Sequence, residues 1–146
     1  MRVLIAFVLA AHGIAHGVGF AVNWHVISTP ELPFSTTVFG GRWDIGVEGI
    51  RLVGLLWLVA GAACLAAAAS LASDAPWSVS LTVAALVLSL AMCAVGWPAA
   101  RTGVYLNLGL GAVVVVSSLL GLGWFPTAPR ATTEAPHVAS YDSLPR

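Results

Sequence analysis

Apolar residues fill four long stretches of the chain, and short segments rich in proline, glycine and charged residues separate them. The stretches are residues 2–22, 50–71, 77–97 and 103–124. Each is close to the roughly 20 residues that an α-helix needs to cross a bilayer, and none shows the period-two alternation of a membrane β-strand. The pattern predicts an all-α polytopic membrane protein, an antiparallel bundle of four transmembrane helices, as one domain over residues 1–125.

The segments between the apolar stretches differ in length. Residues 72–76 and residues 98–102 are short connections, so the helices on either side of each run antiparallel. The first loop, residues 23–49, is the longest connection. After the fourth stretch, residues 126–146 are rich in Pro, Ala, Ser and Thr, and this composition predicts a disordered polar tail.

The composition points to the lipid bilayer as the main partner of the chain. The 146 residues are 59% hydrophobic and 8% charged, with a formal net charge of +0, and the mean hydropathy is +0.94. Soluble domains carry about 25% charged residues, so we expect a multi-pass protein of the plasma membrane. The basic residues are all arginines and form no basic stripe, which excludes a nucleic-acid-binding surface.

The arginines bear on the orientation in the membrane. Three lie on each side of the predicted bundle, so their count favours neither orientation. Arg2 stands directly before the first apolar stretch, and a short basic N-terminus is typical of the cytoplasmic side. We therefore expect both termini in the cytoplasm and the first loop on the opposite side.

Polar side chains gather in the half of the predicted bundle nearest the first loop. Antiparallel threading places the candidates for a ligand-binding polar pocket there or near the midplane: His12, His16, Glu48, Arg51, Arg101, Tyr105 and Asn107. His12 and His16 are four residues apart, so they share one helix face about 6 Å apart along its axis. Asp44, Glu48 and Arg51 form one stripe if the second helix begins near Asp44, and Arg51 can pair with Glu48.

The two histidines have chemical interpretations. As i, i+4 imidazoles they can bind one divalent metal ion, with Glu48 as a further ligand; this gives a candidate metal site of His12, His16 and Glu48. They can instead handle protons or contact a polar ligand. A haem held by both is disfavoured, because His12 and His16 project from the same side of one helix.

The histidines also have a structural interpretation. Gly13 and Gly17 form a Gly-x-x-x-Gly pair interleaved with them, and such pairs let a neighbouring helix approach closely. Each imidazole can then form a hydrogen bond to a side chain on that neighbour, with these candidates: Ser89, Asn107 and Glu48.

The two cysteines are expected to be small buried apolar residues. Cys64 lies deep in the second predicted span and Cys93 lies near the end of the third. Counted from the span ends at 1.5 Å per residue, their depths differ by about 15 Å. The sequence therefore predicts that they form no disulfide.

Three segments of the predicted spans carry distinctive patterns: "AAHGIAHGVGF", "RLVGLLWLVAGAACLAAA" and "ARTGVYLNLGLG". They resemble small, largely uncharacterised bacterial four-helix membrane proteins similar to the DoxX-like proteins, some of which carry a permease label. The residues that match are His12, Gly13, His16, Gly19, Phe20, Gly103 and Asn107. The resemblance implies the four-helix fold, draws attention to the histidine pair and, through the permease label, implies transport. The segment "RWDIGVEGIR" departs from the pattern.

Together these features favour a non-enzymatic membrane protein that binds a small ligand, a lipid or a protein partner through its polar pocket. Glycine seams favour a homodimer or a place in a larger membrane complex. Two alternatives stay open. One is a metal-dependent or redox-associated membrane enzyme subunit that uses His12 and His16, and the other is a small proton-coupled transporter with Glu48 as the carrier.

Overall fold

Four helices and a small hairpin make up the part of the chain that the structure describes. The computed structural model describes residues 1–125, and the predicted tail lies outside them. The elements in chain order are α1 (Arg2–Asn23), β1 (Thr37–Val38), β2 (Trp43–Asp44), α2 (Gly46–Ala72), α3 (Ser78–Val95) and α4 (Arg101–Leu119). Each helix is long and apolar enough to cross a membrane, and consecutive helices pack against one another. The prediction of four apolar helices is confirmed.

Two helices differ from their predicted bounds by four residues or more at one end, for local backbone reasons. α2 begins at Gly46 rather than at residue 50, because Gly46 has a φ of 69° and lets the chain turn from β2 straight into the helix. α4 ends at Leu119 rather than at residue 124. Gly121, with a φ of 58°, turns the chain there, and Phe125 folds back into the core.

The first loop carries an antiparallel hairpin that the sequence pattern did not reveal. Thr37 pairs with Asp44 across the two strands, and the Phe39 N–H donates to the Val95 carbonyl at 3.0 Å. This bond holds the hairpin against the end of α3. The Asp44 carboxylate accepts a hydrogen bond from the Gly46 N–H at 3.0 Å, which lowers the pKa of Asp44. Asp44 therefore belongs to a strand, and the predicted helical stripe through it does not form.

The closest approach between helices joins α1 to α2 at Gly13 and Gly61. A Cβ at Gly13 would lie 2.9 Å from the Gly61 carbonyl oxygen, and one at Gly61 would lie 2.7 Å from the Gly13 carbonyl oxygen. Gly17 has no neighbour within 4 Å of its Cβ position among the described residues. The expected glycine seam therefore uses Gly13 with a glycine of the partner helix, and Gly17 takes no part in it.

An apolar core fills the end of the bundle opposite the first loop. All four helices contribute to it, and its largest members are Ile5, Leu9, Leu71, Leu86, Leu110, Val114 and Phe125. At this end the guanidinium of Arg2 and the carboxylate of Asp74 form an ion pair. Because packing rather than water exclusion drives helix association in lipid, this core holds the helices together. Four buried hydroxyl-bearing residues lie at the same end: Ser70, Ser78, Thr82 and Ser117.

The contrast between Gly13 and Gly17 of α1 gives a test of this packing. We expect Gly13→Ala to lower the free energy of unfolding by about 1–3 kcal/mol, because the new methyl group meets the backbone of Gly61. Gly17→Ala should leave it unchanged or raise it by up to about 1 kcal/mol. Denaturant-induced unfolding in mixed detergent micelles measures both, and equal losses would contradict the packing described.

Candidate functional site

A buried cluster of polar side chains lies near the middle of the bundle. His12 and His16 come from α1, Ser89 and Cys93 from α3, and Asn107 from α4, and all five are buried. The Ser89 Oγ lies 2.8 Å from His12 Nε2 and 2.7 Å from His16 Nε2. The Asn107 Nδ2 group donates to the same oxygen at 2.9 Å. One hydroxyl therefore joins side chains from three helices.

The hydroxyl of Ser89 has a single proton to donate, and this fixes the roles of the two imidazoles. Its oxygen accepts from Asn107, so it can accept from one histidine and must donate to the other. Asn107 Nδ2 also lies 3.2 Å from His12 Nε2, which surrounds that nitrogen with donors. His12 is therefore assigned the tautomer with its proton on Nδ1, and His16 the tautomer with its proton on Nε2.

Asn107 is held in one orientation by its own helix. Its Nδ2 group donates to the Gly103 carbonyl at 2.8 Å, which only the NH₂ end of the amide can do, and it lies 3.7 Å from Cys93 Sγ. Its Oδ1 atom is buried and has no hydrogen-bond partner among residues 1–125. An unpartnered acceptor in a dry interior is costly.

Aromatic contacts position the two imidazole rings. The ring centroids of His12 and His16 lie 4.6 Å apart. The edge of His16 meets Trp57 of α2, with centroids 5.0 Å apart and an interplanar angle of 70°. Trp57 in turn packs at the end of α3, where a Cβ at Gly96 would lie 2.9 Å from its ring. The ring of His16 thus lies between Trp57 of α2 and Ser89 of α3.

A cleft of about 1120 Å³ lies beside this cluster. Residues of α1, the first loop with its hairpin and the start of α4 line most of it, and a few residues of α2 and α3 complete the lining, so the cleft lies at the first-loop end of the bundle. Its lining is mainly apolar, and His12 and His16 form part of it. Ala11 and Ala15 line it on α1 and are exposed, so the cleft is also open along the side of the bundle.

The structure brings together three of the seven residues that the sequence proposed for a pocket. His12, His16 and Asn107 are hydrogen-bonded to one another or to a shared partner. Arg101 is exposed and lies at the mouth of the cleft. Tyr105 is 64% exposed on the outer face of α4, because two residues of helix separate it from Asn107 by roughly 200°.

Glu48 and Arg51 lie away from the cluster. Their side chains pair with each other at 3.1 Å and are 87% and 50% exposed, as expected of an interfacial ion pair. The guanidinium of Arg51 also lies 6.0 Å from the ring centre of Trp24. Glu48 therefore supplies no ligand beside the histidines, and the metal site of His12, His16 and Glu48 does not form in this arrangement.

Cys93 occupies the place beside the histidines that was predicted for Glu48. A nitrogen of His12, a nitrogen of His16 and Cys93 Sγ all lie within 4.8 Å of one another.

The predicted depth difference between Cys93 and Cys64 is wrong, because the helix ends do not lie in one plane. Cys64 packs at Gly13 of α1, and Cys93 packs at Gly103 close to the neighbouring His12. Both thiols are nevertheless free, as predicted.

Comparisons of the chain with protein-family models, with curated proteins and with solved structures give no match. The resemblance to the DoxX-like proteins therefore stays a prediction that rests on its residues. The function of the cluster and of the cleft beside it therefore has to be inferred from the chemistry of the side chains that form them.

The shared hydroxyl can be tested by removing it. We expect Ser89→Ala to lower the free energy of unfolding by about 1–2 kcal/mol, because three buried groups lose a partner that lipid cannot replace. The control is Ser118→Ala, since the Ser118 hydroxyl donates to a carbonyl of its own helix; its effect should stay below about 0.5 kcal/mol. Unfolding of both variants in mixed micelles measures the difference, and similar effects would contradict a joining role for Ser89.

Proposed function

We propose that the protein is a small integral membrane protein that binds an apolar or amphipathic small molecule in the cleft between α1 and α4. One observation carries the proposal: a cleft of about 1120 Å³ has mainly apolar walls and two buried histidines among its lining residues. Ligand sites have this composition, with many apolar groups and a few polar groups that fix the orientation. The apolar part of the ligand packs against α1, and its polar group exchanges hydrogen bonds with the imidazoles.

The openness of the cleft indicates how such a ligand enters. The exposed side chains of Phe7, Ala11, Ala15 and Val18 line it on α1, and this face is turned to the bilayer in the proposed arrangement. A molecule dissolved in lipid can therefore reach the histidines without crossing water. This supports a lipid or another membrane-soluble compound as the ligand class.

The proton-coupled transporter receives less support from the geometry. Glu48, its proposed carrier, is 87% exposed and paired with Arg51, so it does not move a proton through the interior.

Dimerisation stays a prediction, and Gly17, Gly109 and Gly111 have open space around their Cβ positions among the described residues. These glycines are where a neighbouring helix can approach.

We also propose a plasma-membrane location with both termini in the cytoplasm. An alkaline phosphatase fused after Glu31 should then be active, because that enzyme folds outside the cytoplasm, whereas one fused after Asp74 should be inactive. A fluorescent protein fused after Arg146 should fluoresce. Phosphatase activity at Asp74 with none at Glu31 would reverse the orientation.

Filling the cleft tests the ligand proposal directly. The protein is purified in mild detergent, and the small molecules that remain bound are extracted and quantified by mass spectrometry. We expect wild type to retain one apolar or amphipathic species near one per chain, and Ala15→Trp to retain about tenfold less or lower, because the indole occupies the cleft. Ala91→Trp is the control, since Ala91 is exposed on α3 and does not line the cleft. Equal retention in all three proteins would contradict the proposal.

A further inference from the structure

We propose that His12, His16 and Cys93 form a binding site for a monovalent copper ion at the inner end of the cleft. Two imidazoles and one thiol are brought within 4.8 Å of one another in a part of the bundle where all three are buried. Small side-chain rotations place the three ligand atoms around one ion. The site goes beyond the proposed ligand cleft and does not rest on it, because the ion needs no organic ligand to bind.

The ligand types decide which class of metal fits. Imidazole suits zinc, copper, iron and nickel, whereas a thiolate narrows the choice to soft ions, chiefly Cu⁺ and Zn²⁺. Binding requires the neutral form of each imidazole and the deprotonated form of the thiol. The Cys93 S–H bond therefore breaks as the metal–sulfur bond forms, and one proton leaves through the cleft. No electron is transferred in this step.

Charge in the bilayer decides between the two soft ions. One thiolate and Cu⁺ give a site with no net charge, whereas one thiolate and Zn²⁺ leave a net positive charge. No Asp or Glu among the described residues is buried, so no carboxylate stands beside the site to neutralise it. Since an uncompensated charge inside a membrane is costly, the site favours Cu⁺ over Zn²⁺.

Neighbouring side chains already support the three ligands. The Ser89 hydroxyl accepts a hydrogen bond from His16 Nε2 and so orients that ring, and the Asn107 Nδ2 group lies 3.7 Å from Cys93 Sγ. Groups that orient metal ligands commonly change metal affinity by about 10–100-fold. Gly103 leaves the space that the sulfur occupies, because a Cβ there would lie 2.5 Å from it.

The test uses the full chain in lipid nanodiscs under reducing, oxygen-free conditions. Cu⁺ is supplied as its complex with the coloured chelator bicinchoninate, and its transfer to the protein is followed by absorbance. We expect one Cu⁺ per chain in wild type, and binding about 100-fold weaker or more in Cys93→Ala and in His16→Ala. Cys64→Ala is the matched control, since Cys64 is an equally buried free cysteine outside the ligand group, and it should bind as wild type does.

A second measurement needs no substitution and so does not depend on whether a variant folds. X-ray absorption at the copper edge of loaded wild type should show one sulfur and two imidazole ligands. An equimolar mixture of Cu⁺ and Zn²⁺ should load copper. Three results would each overturn the proposal: copper without a sulfur ligand, full binding in Cys93→Ala, or preferential loading of zinc. Because Ala15→Trp should still bind Cu⁺, failure of the copper site and failure of the ligand cleft are distinguishable.

Discussion

The hydroxyl of Ser89 is the contact on which the arrangement of the helices depends. It stands on α3 and binds two imidazoles of α1 and the amide of α4. In a lipid interior, water cannot replace a lost partner, and an unpartnered polar group is expensive. Hydrogen bonds also have preferred directions, whereas apolar packing has few. The rotations of α1 and α4 about their axes are therefore fixed at Ser89, and the position of the cleft follows from them.

The close contact between α1 and α2 makes this network attainable. Gly13 and Gly61 bring the two backbones together, and the helix face beside this contact carries His12 and His16 toward α3. Trp57 then fills the space next to His16. A larger residue at Gly13 would move α1 outward and lengthen both bonds to Ser89. The tight packing on one side of α1 and the hydrogen bonds on its other side therefore depend on each other, because both are set by the position of α1.

Much of this arrangement was predictable from the sequence, for reasons that particular residues make clear. The four helices followed from the length and hydropathy of the apolar stretches, and the shared face of His12 and His16 followed from their spacing. Asn107 was predictable as a partner because antiparallel threading set its depth. Cys93, and not Glu48, lies beside the histidines, because depth was counted from span ends that do not share a plane. The hairpin at residues 37–44 was not predicted, since two-residue strands leave no periodic pattern.

The two ends of the bundle differ in a way that favours binding over passage. The two buried histidines, the buried asparagine and the cleft lie in the half near the first loop. The other half combines an apolar core, with side chains such as Leu9, Leu71 and Leu110, and four buried hydroxyl-bearing residues: Ser70, Ser78, Thr82 and Ser117. A pathway across the membrane needs polar groups or water along its whole length. The lining of the cleft reaches Leu106 on α4 and includes none of the four buried hydroxyl-bearing residues of the other half. A molecule bound beside His12 therefore lies in a cleft that stops short of the opposite end of the bundle.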